Sequence, residues 1–221
     1  MIVAVAGGKG GVGKSTVAYN LGATLDAVVV DADLGMADLP DGGRGPDLHD
    51  VLAGRAAPLE AVREGGPVRL LPCGRSLAGA RAADVDDLGE AVRAADREYG
   101  DVLIDCPAGM RADAGVPLAV ADACVLVASP RAFALADALR TRALARELDA
   151  GLVAAVLNRT VEPPPAASVA DALGVPVEVV PADPRVGRSV AEATPVPGSA
   201  PDSEAGRAFE SLGVRVRRCR R

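Results

Sequence analysis

Both lysines of the 221-residue chain, Lys9 and Lys14, fall inside one glycine-rich run, Gly8-Lys9-Gly10-Gly11-Val12-Gly13-Lys14-Ser15, and every other cationic side chain except His49 is Arg. A coding bias toward Arg would thin lysine everywhere without placing the two survivors five residues apart. A need for a compact ammonium on a flexible stem, where a planar guanidinium does not fit, accounts for the placement. The run follows the apolar stretch Ile2–Ala6 and precedes a helical pattern starting at Ser15. That strand, loop and helix order is the setting in which Gly-x4-Gly-Lys-Ser cradles phosphates. Glycines allow the positive φ angles that turn successive N–H groups toward one anion, and the helix N-terminus adds partial positive charge. Lys14 is expected to reach the β- and γ-phosphates of ATP, Ser15 to coordinate Mg²⁺, and Thr16 to support the α-phosphate. A ligand-free Gly-rich turn is the competing reading and leaves this placement unexplained.

Carboxylates complete the chemistry. Val28-Val-Val-Asp31-Ala-Asp33 ends an apolar run in two acids that alternation brings to the γ-phosphate side. They could simply cap a helix. As catalytic groups, Asp33 lies farther out and is expected to accept a proton from, or orient, the attacking water, while Asp31 holds the magnesium shell. Val102-Leu-Ile-Asp105 supplies a second acid-tipped strand of Walker B character, with Asp105 on the metal through a water. Pro107-Ala108-Gly109 then reads as a γ-phosphate-sensing loop that contacts the nucleotide through the Gly109 amide.

Placing these groups requires a scaffold of strands whose carboxyl ends converge. Ile2–Ala6, Val28–Asp31, Val68–Pro72, Val102–Asp105, Cys124–Ala128, Leu152–Leu157 and Val177–Val180 read as buried strands. Helical spacing occurs over Ser15–Leu25, Val85–Glu98, Ala134–Leu148, Ala166–Leu173 and Val186–Ala193. The alternation predicts an α/β fold, a doubly wound, mainly parallel sheet with helices on both faces and ligands at the strands' carboxyl ends. Apolar residues make up 49% of the chain and aromatics only 2%, so Val, Leu and Ala must build the core. The Pro/Gly-rich stretches Pro40–Pro46, Pro163–Pro165 and Pro195–Pro201 read as connections. Residues 1–200 are expected to form the ATPase domain, with 201–221 a C-terminal helix and Arg-rich tail, part of it or peripheral to it.

Net charge −6 argues against binding nucleic acid over most of the surface. The four cysteines form no CxxC pair, which predicts a reduced, cytoplasmic protein. Val116–Ala128, interrupted by Asp122, is too short to cross a bilayer, which takes about 20 residues.

Lys9 just after the loop's first glycine, Asp31-Ala-Asp33 and Asp105-Cys-Pro-Ala-Gly109 together resemble the MinD/ParA family of deviant Walker A ATPases. Leu48-His-Asp-Val-Leu-Ala-Gly54, Ser129-Pro130, Val156-Leu-Asn158-Arg159 and Pro181-Ala-Asp183-Pro184 fall in family order and look closer to archaeal and bacterial MinD-type proteins. The resemblance implies an ATP-state homodimer in which Lys9 crosses to the partner's phosphates. It also implies an ATP/ADP switch that positions other molecules, slow without an activating or cargo partner. Asn158, with Arg159 beside it, would read the adenine edge, and Pro181 to Asp183 would cover the base. From the residues alone Lys9 is an extra cation, and Asn158 could equally cap a turn. Other functions of the same fold are a DNA-partitioning ATPase, a small-molecule ligase and an iron–sulfur carrier; DNA is an unfavoured partner, and Cys106 and Cys124 read as buried structural thiols.

On a helix, Ala205, Ala208, Phe209, Leu212, Val216 and Cys219 would line one stripe, with Arg207, Arg215, Arg217, Arg218, Arg220 and Arg221 as cations. This predicts either contact with an anionic membrane surface, at the inner face of the membrane, or a core-packed helix with a solvated tail. His49 fits no metal spacing and is expected at the surface or a helix start.

Overall fold

The computed structural model describes residues 1–35, 37–40, 43–109, 112–130 and 134–220. Its strands are β1 (Ile2–Ala6), β2 (Val28–Asp31), β3 (Arg69–Leu71), β4 (Val102–Asp105), β5 (Ala123–Ala128), β6 (Gly151–Thr160) and β7 (Val177–Pro181). They form one sheet in the order β3-β2-β4-β1-β5-β6-β7, and every pairing between them is parallel. The chain winds outward through β2 and β3, returns to β4 beside β1, then winds the other way through β5, β6 and β7. Reversal of winding beside β1 opens a crevice at the carboxyl ends, where ligands of such sheets bind.

The helices are α1 (Lys14–Leu25), α2 (Leu48–Leu52), α3 (Leu77–Ala82), α4 (Leu88–Tyr99), α5 (Ala112–Val120), α6 (Ala134–Glu147), α7 (Ala166–Leu173), α8 (Pro184–Arg188), α9 (Val196–Ser199) and α10 (Glu204–Arg218). Alternate residues of the strands feed opposite faces of the sheet. Val3, Val5, Val29, Leu103, Val125 and Val127 pack with Val17 and Leu21 of α1 and Phe209 and Leu212 of α10. Ile2, Ala4, Val28, Val30, Val102 and Ile104 pack the other way, on α2 and α4. Leu126, Ala155 and Leu157 cover α6 and α7 with Ala138, Val169 and Leu173.

Several boundaries differ from expectation for local reasons. The helix expected from Val85 opens as a 3-10 turn over Val85–Asp87 and becomes α4 at Leu88. The one expected over Val186–Ala193 starts earlier, because Asp183 caps it and Pro184 sits at its first position. Asp47 and Ser76 cap the short α2 and α3, which no apolar period announces. Pro195–Pro201, read as a connection, contains α9, and Val116–Ala128 divides into the end of α5, a turn at Asp122 and β5. Of the Pro40–Pro46 stretch, Asp41 and Gly42 lie outside the described residues.

The apolar stripe considered for a membrane surface is core instead. Ala205, Phe209, Leu212 and Val216 are buried against α1 and the sheet, while Cys219 is exposed. Gly213 brings the two helices into contact, since a Cβ there would lie 2.5 Å from Thr24 Cγ2. Several of the tail's cations are engaged within the chain: Arg215 bonds Glu178, Arg217 bonds the Thr24 carbonyl, and Arg220 lies 2.7 Å from Asp101. Arg221 lies outside the described residues. Among the described residues no helix is long and apolar enough to cross a membrane. Replacing the fully buried Phe209 by Ala is expected to lower stability by about 3–5 kcal/mol, read from the denaturant midpoint.

Candidate nucleotide site

The glycine-rich loop leaves β1 and ends at Gly13, the residue capping α1, whose φ of 93° only glycine adopts readily. No side chain caps α1, so its first-turn N–H groups remain for an anion. A Cβ on Gly13 would also lie 2.2 Å from Asn158 Nδ2. A cavity of about 180 Å³ opens here, lined by Gly11, Gly13, Lys14, Ser15, Thr16, Asp38, Arg159 and Val190. Lys14 is buried at its base, and Val12 is buried beneath the loop. Gly10 faces Ala108 of the Pro107-Ala108-Gly109 segment, where Gly109 has φ 96° and open space beside it.

The far end of β6 braces the loop. Asn158 Nδ2 donates to the Val12 carbonyl at 3.0 Å, and Arg159 Nη1 donates to the Gly11 carbonyl at 2.9 Å. The β6–β7 register slips between Asn158 and Thr160, and Arg159 between them has φ 61°. Such an irregularity re-aims side chains at a strand's end. A second cavity, about 340 Å³, adjoins the first at Thr16 and Arg159 and is walled by Asn158, Pro181, Ala182, Asp183, Pro184, Val186 and Gly187. It is mostly apolar, with the size and lining a flat base can enter. Asn158 therefore reaches both the loop and this cavity. The Asp183 carboxylate is committed to capping α8 and pairing with Arg185 at 2.6 Å, and that guanidinium lowers its pKa.

On the other side Asp31 and Asp105 stand in register at the ends of adjacent strands, both 1% exposed. Burial pushes Asp105 up to about 8, offset in part by the Ser15 hydroxyl and Lys14, and pushes Asp31 up to about 7. Among the described residues neither Asp105 oxygen has a hydrogen-bond partner within ordinary bonding geometry. Among the described residues Asp31 accepts long bonds, from the Asp33 and Leu39 N–H groups at 3.3 and 3.4 Å. Buried carboxylates left this poorly satisfied, next to a hydroxyl, form the hard-oxygen set that suits Mg²⁺, directly or through its waters. The donors thus fit the ion, with Ser15, Asp31 and Asp105 able to hold it and Asp33, half-buried, standing farther out.

Sequence reasoning missed two participants. Asp137 of α6 sits beside Gly8 and pairs with Lys9 Nζ at 3.4 Å, leaving Lys9 half exposed at the loop's rim. Asn20, wholly buried, donates to the Thr16 carbonyl and Ser189 Oγ and accepts from Val196 N–H, tying α1 to the segment beyond α8. Its rarity in the chain was the only sequence signal for it. His49 does start a helix, but it is 2% exposed rather than at the surface. Cys106 and Cys124 are buried, as expected.

A phosphate loop at the sheet's central strand, with acids ending the strands beside it, makes this a P-loop nucleotide-binding protein. The chain belongs to the CobQ/CobB/MinD/ParA nucleotide binding domain family, whose model matches residues 3–196. It is 33% identical to an uncharacterized ATP-binding protein of Methanocaldococcus jannaschii over 97% of this chain and 86% of that one. Its structure is similar to the cell division ATPase MinD of Pyrococcus furiosus, with a TM-score of 0.90 at 30% identity over 98% of both chains. It is also similar to the septum site-determining protein MinD of Pyrococcus horikoshii complexed with Mg-ADP, with a TM-score of 0.89 at 30% identity over 97% and 95%.

The raised carboxylate pKa values have a signed consequence. Between the ordinary value of 3.8 and about 8 the folded state keeps protons that the unfolded chain releases, so stability falls as pH rises through that window. Each such proton contributes up to about 1.4 kcal/mol per pH unit. In chelator, melting temperature is expected to drop from pH 5 to 8, and Asp105→Asn to flatten that slope. Asn158→Ala, which strips the Val12 carbonyl of its donor, is expected to cost about 1–3 kcal/mol in chemical denaturation.

Proposed function

We propose that this protein is a Mg²⁺-dependent ATPase whose ATP and ADP states differ in dimerisation, and that it uses this switch to position other molecules in the cell. The observation that carries the reading is Lys9: the loop already holds one buried lysine, Lys14, for its own phosphates, and the second is half exposed beside Asp137 of α6. An ammonium there suits the phosphates of a nucleotide in a second copy of the chain.

In the proposed hydrolysis Lys14 and the loop N–H groups hold the β- and γ-phosphates and offset charge that develops on the bridging oxygen. Asp33 orients a water so that its oxygen attacks the γ-phosphorus while the bond to the β–γ bridging oxygen breaks. The water's proton passes to Asp33 or to the departing phosphate. Ser15, Asp31 and Asp105 would hold Mg²⁺, which would supply positive charge against the phosphates. Asn158 and Arg159 flank the base, and the segment Pro181 to Asp183 covers it. Turnover by one copy is slow, and a separate activating or cargo protein sets its rate. A partitioning role on DNA is the weaker reading, since Arg215, Arg217 and Arg220 already bond within the chain. Burial of Ala205, Phe209, Leu212 and Val216 withdraws the C-terminal apolar stripe from membrane attachment.

Lys14→Ala is expected to abolish Mg-ATP binding in calorimetry. Lys9→Ala is expected to bind ATP within about threefold of the parent chain yet to stay monomeric in light scattering and to lose turnover. An Lys9→Ala protein that still dimerises with ATP would defeat the switch, and absence of Mg-dependent ATP binding by the parent chain would defeat the whole reading.

A further inference from the structure

The His49 imidazole and the Cys73 thiol share a buried pocket, 2% and 1% exposed, and the nucleotide chemistry described above uses neither. Their backbones join two elements. Leu48 N–H donates to the Pro72 carbonyl at 2.8 Å and His49 N–H to the Cys73 carbonyl at 3.1 Å, fixing the start of α2 to the chain leaving β3. Their side chains then reach the segment leaving β2. His49 Nε2 lies 3.2 Å from the Leu34 carbonyl, Cys73 Sγ lies 3.3 Å from the Asp33 carbonyl, and the two atoms are 3.5 Å apart.

A carbonyl only accepts, so Nε2 carries the ring hydrogen and donates it to Leu34. The thiol donates to Asp33; burial and the carboxylates of Asp31, Asp33 and Asp47 push its pKa up, which keeps its hydrogen in place. Nδ1 is then the bare nitrogen, buried and without a partner. Its walls are glycines. A Cβ on Gly74 would lie 2.7 Å from Nδ1 and 2.5 Å from Asp47 Oδ2, and one on Gly79 3.0 Å from Nδ1 and 2.7 Å from Ser76 Oγ, so the ring packs directly against both glycine backbones. A packing residue of similar volume would avoid the unsatisfied nitrogen, so what the ring adds to this pocket is the donor at Nε2.

The other side of Asp33 is held as well, its N–H donating to Asp31 Oδ1 at 3.3 Å. We infer that His49 and Cys73 are positioning residues, a pair of donors that clamps the Asp33 and Leu34 carbonyls and so sets the direction in which the Asp33 carboxylate meets the attacking water. The inference rests on the proposed role of Asp33. The clamp reaches the loop from α2 and from the end of β3, so it transmits the position of that outer layer to the reaction site.

The test uses His49→Gln, whose amide nitrogen reaches the Nε2 position, against His49→Asn, whose amide stops near Nδ1. A second pair, Cys73→Ser and Cys73→Val, keeps or deletes the other donor. In the full chain with saturating Mg-ATP, His49→Asn and Cys73→Val are expected to lose about tenfold or more in kcat with KM within about threefold. The Gln and Ser variants should stay within about threefold of the parent. Alkylation of Cys73 by iodoacetamide, located by mass spectrometry against the exposed Cys219, should speed up in His49→Asn and not in His49→Gln. Parental kcat in His49→Asn overturns the inference, as does equal loss in His49→Gln and His49→Asn, which would mark a packing role. Asp33→Ala separates the two readings. If it keeps full turnover, the water-orienting role of Asp33 fails and with it the catalytic part of the inference, while faster Cys73 alkylation in His49→Asn still upholds the clamp on the loop. Unchanged alkylation overturns the clamp itself.

Discussion

Asp105 is a carboxylate at the end of a central parallel strand with both oxygens unsatisfied. A β-strand flanked on both sides must be apolar along its length, so an acid at its tip is pulled into low dielectric unless something compensates it. Here the compensation within the chain is partial: Ser15 and Lys14 favour the charge while Asp31 and Asp33 oppose it. The fold thus stores an unmet demand for positive charge at one point, and the phosphate loop lies where a metal-bound polyanion would meet that demand. A protein with this site is less stable empty than filled, which ties folding to nucleotide occupancy through ordinary linkage.

The loop itself is not a local structure. Its carbonyls at Gly11 and Val12 are held from β6, its flank touches Asp137 on α6, and the helix that follows it is tied through Asn20 to Ser189 and Val196. Four separate parts of the chain therefore fix one anion cradle. For the proposed switch, rigidity of this kind suits telling one phosphate more from one fewer, since a loop that adapts to either would bind both alike.

The sheet was legible because each strand carries a short apolar run, unbroken in β1 and β5 and tipped by an acid in β2 and β4, and the loop because glycine, lysine and serine have few other reasons to stand in that order. Asp31, Asp33 and Asp105 were legible as strand ends. What could not be read were pairings set by tertiary geometry. Asn158 looked like a base reader and also proves to be a brace, because a one-residue slip in β6 turns it toward Val12. The Lys9 to Asp137 contact joins residues that no period relates. His49 looked like a surface residue because a short helix carries no amphipathic signature, and its burial comes from the neighbouring glycines. The Arg-rich tail looked like a cationic patch, but charges that cluster in sequence are spread by a helix onto Glu178, Thr24 and Asp101.

Synthesis order gives the β6 brace a further meaning. The amide that secures the loop's Val12 carbonyl is made 146 residues after that carbonyl. Val196, which anchors α1 through Asn20, follows later still, 176 residues behind it. A nascent chain thus carries the full sequence of its cradle long before it has the cradle, and the nucleotide grip waits for β6 and the segment around Val196 to be made.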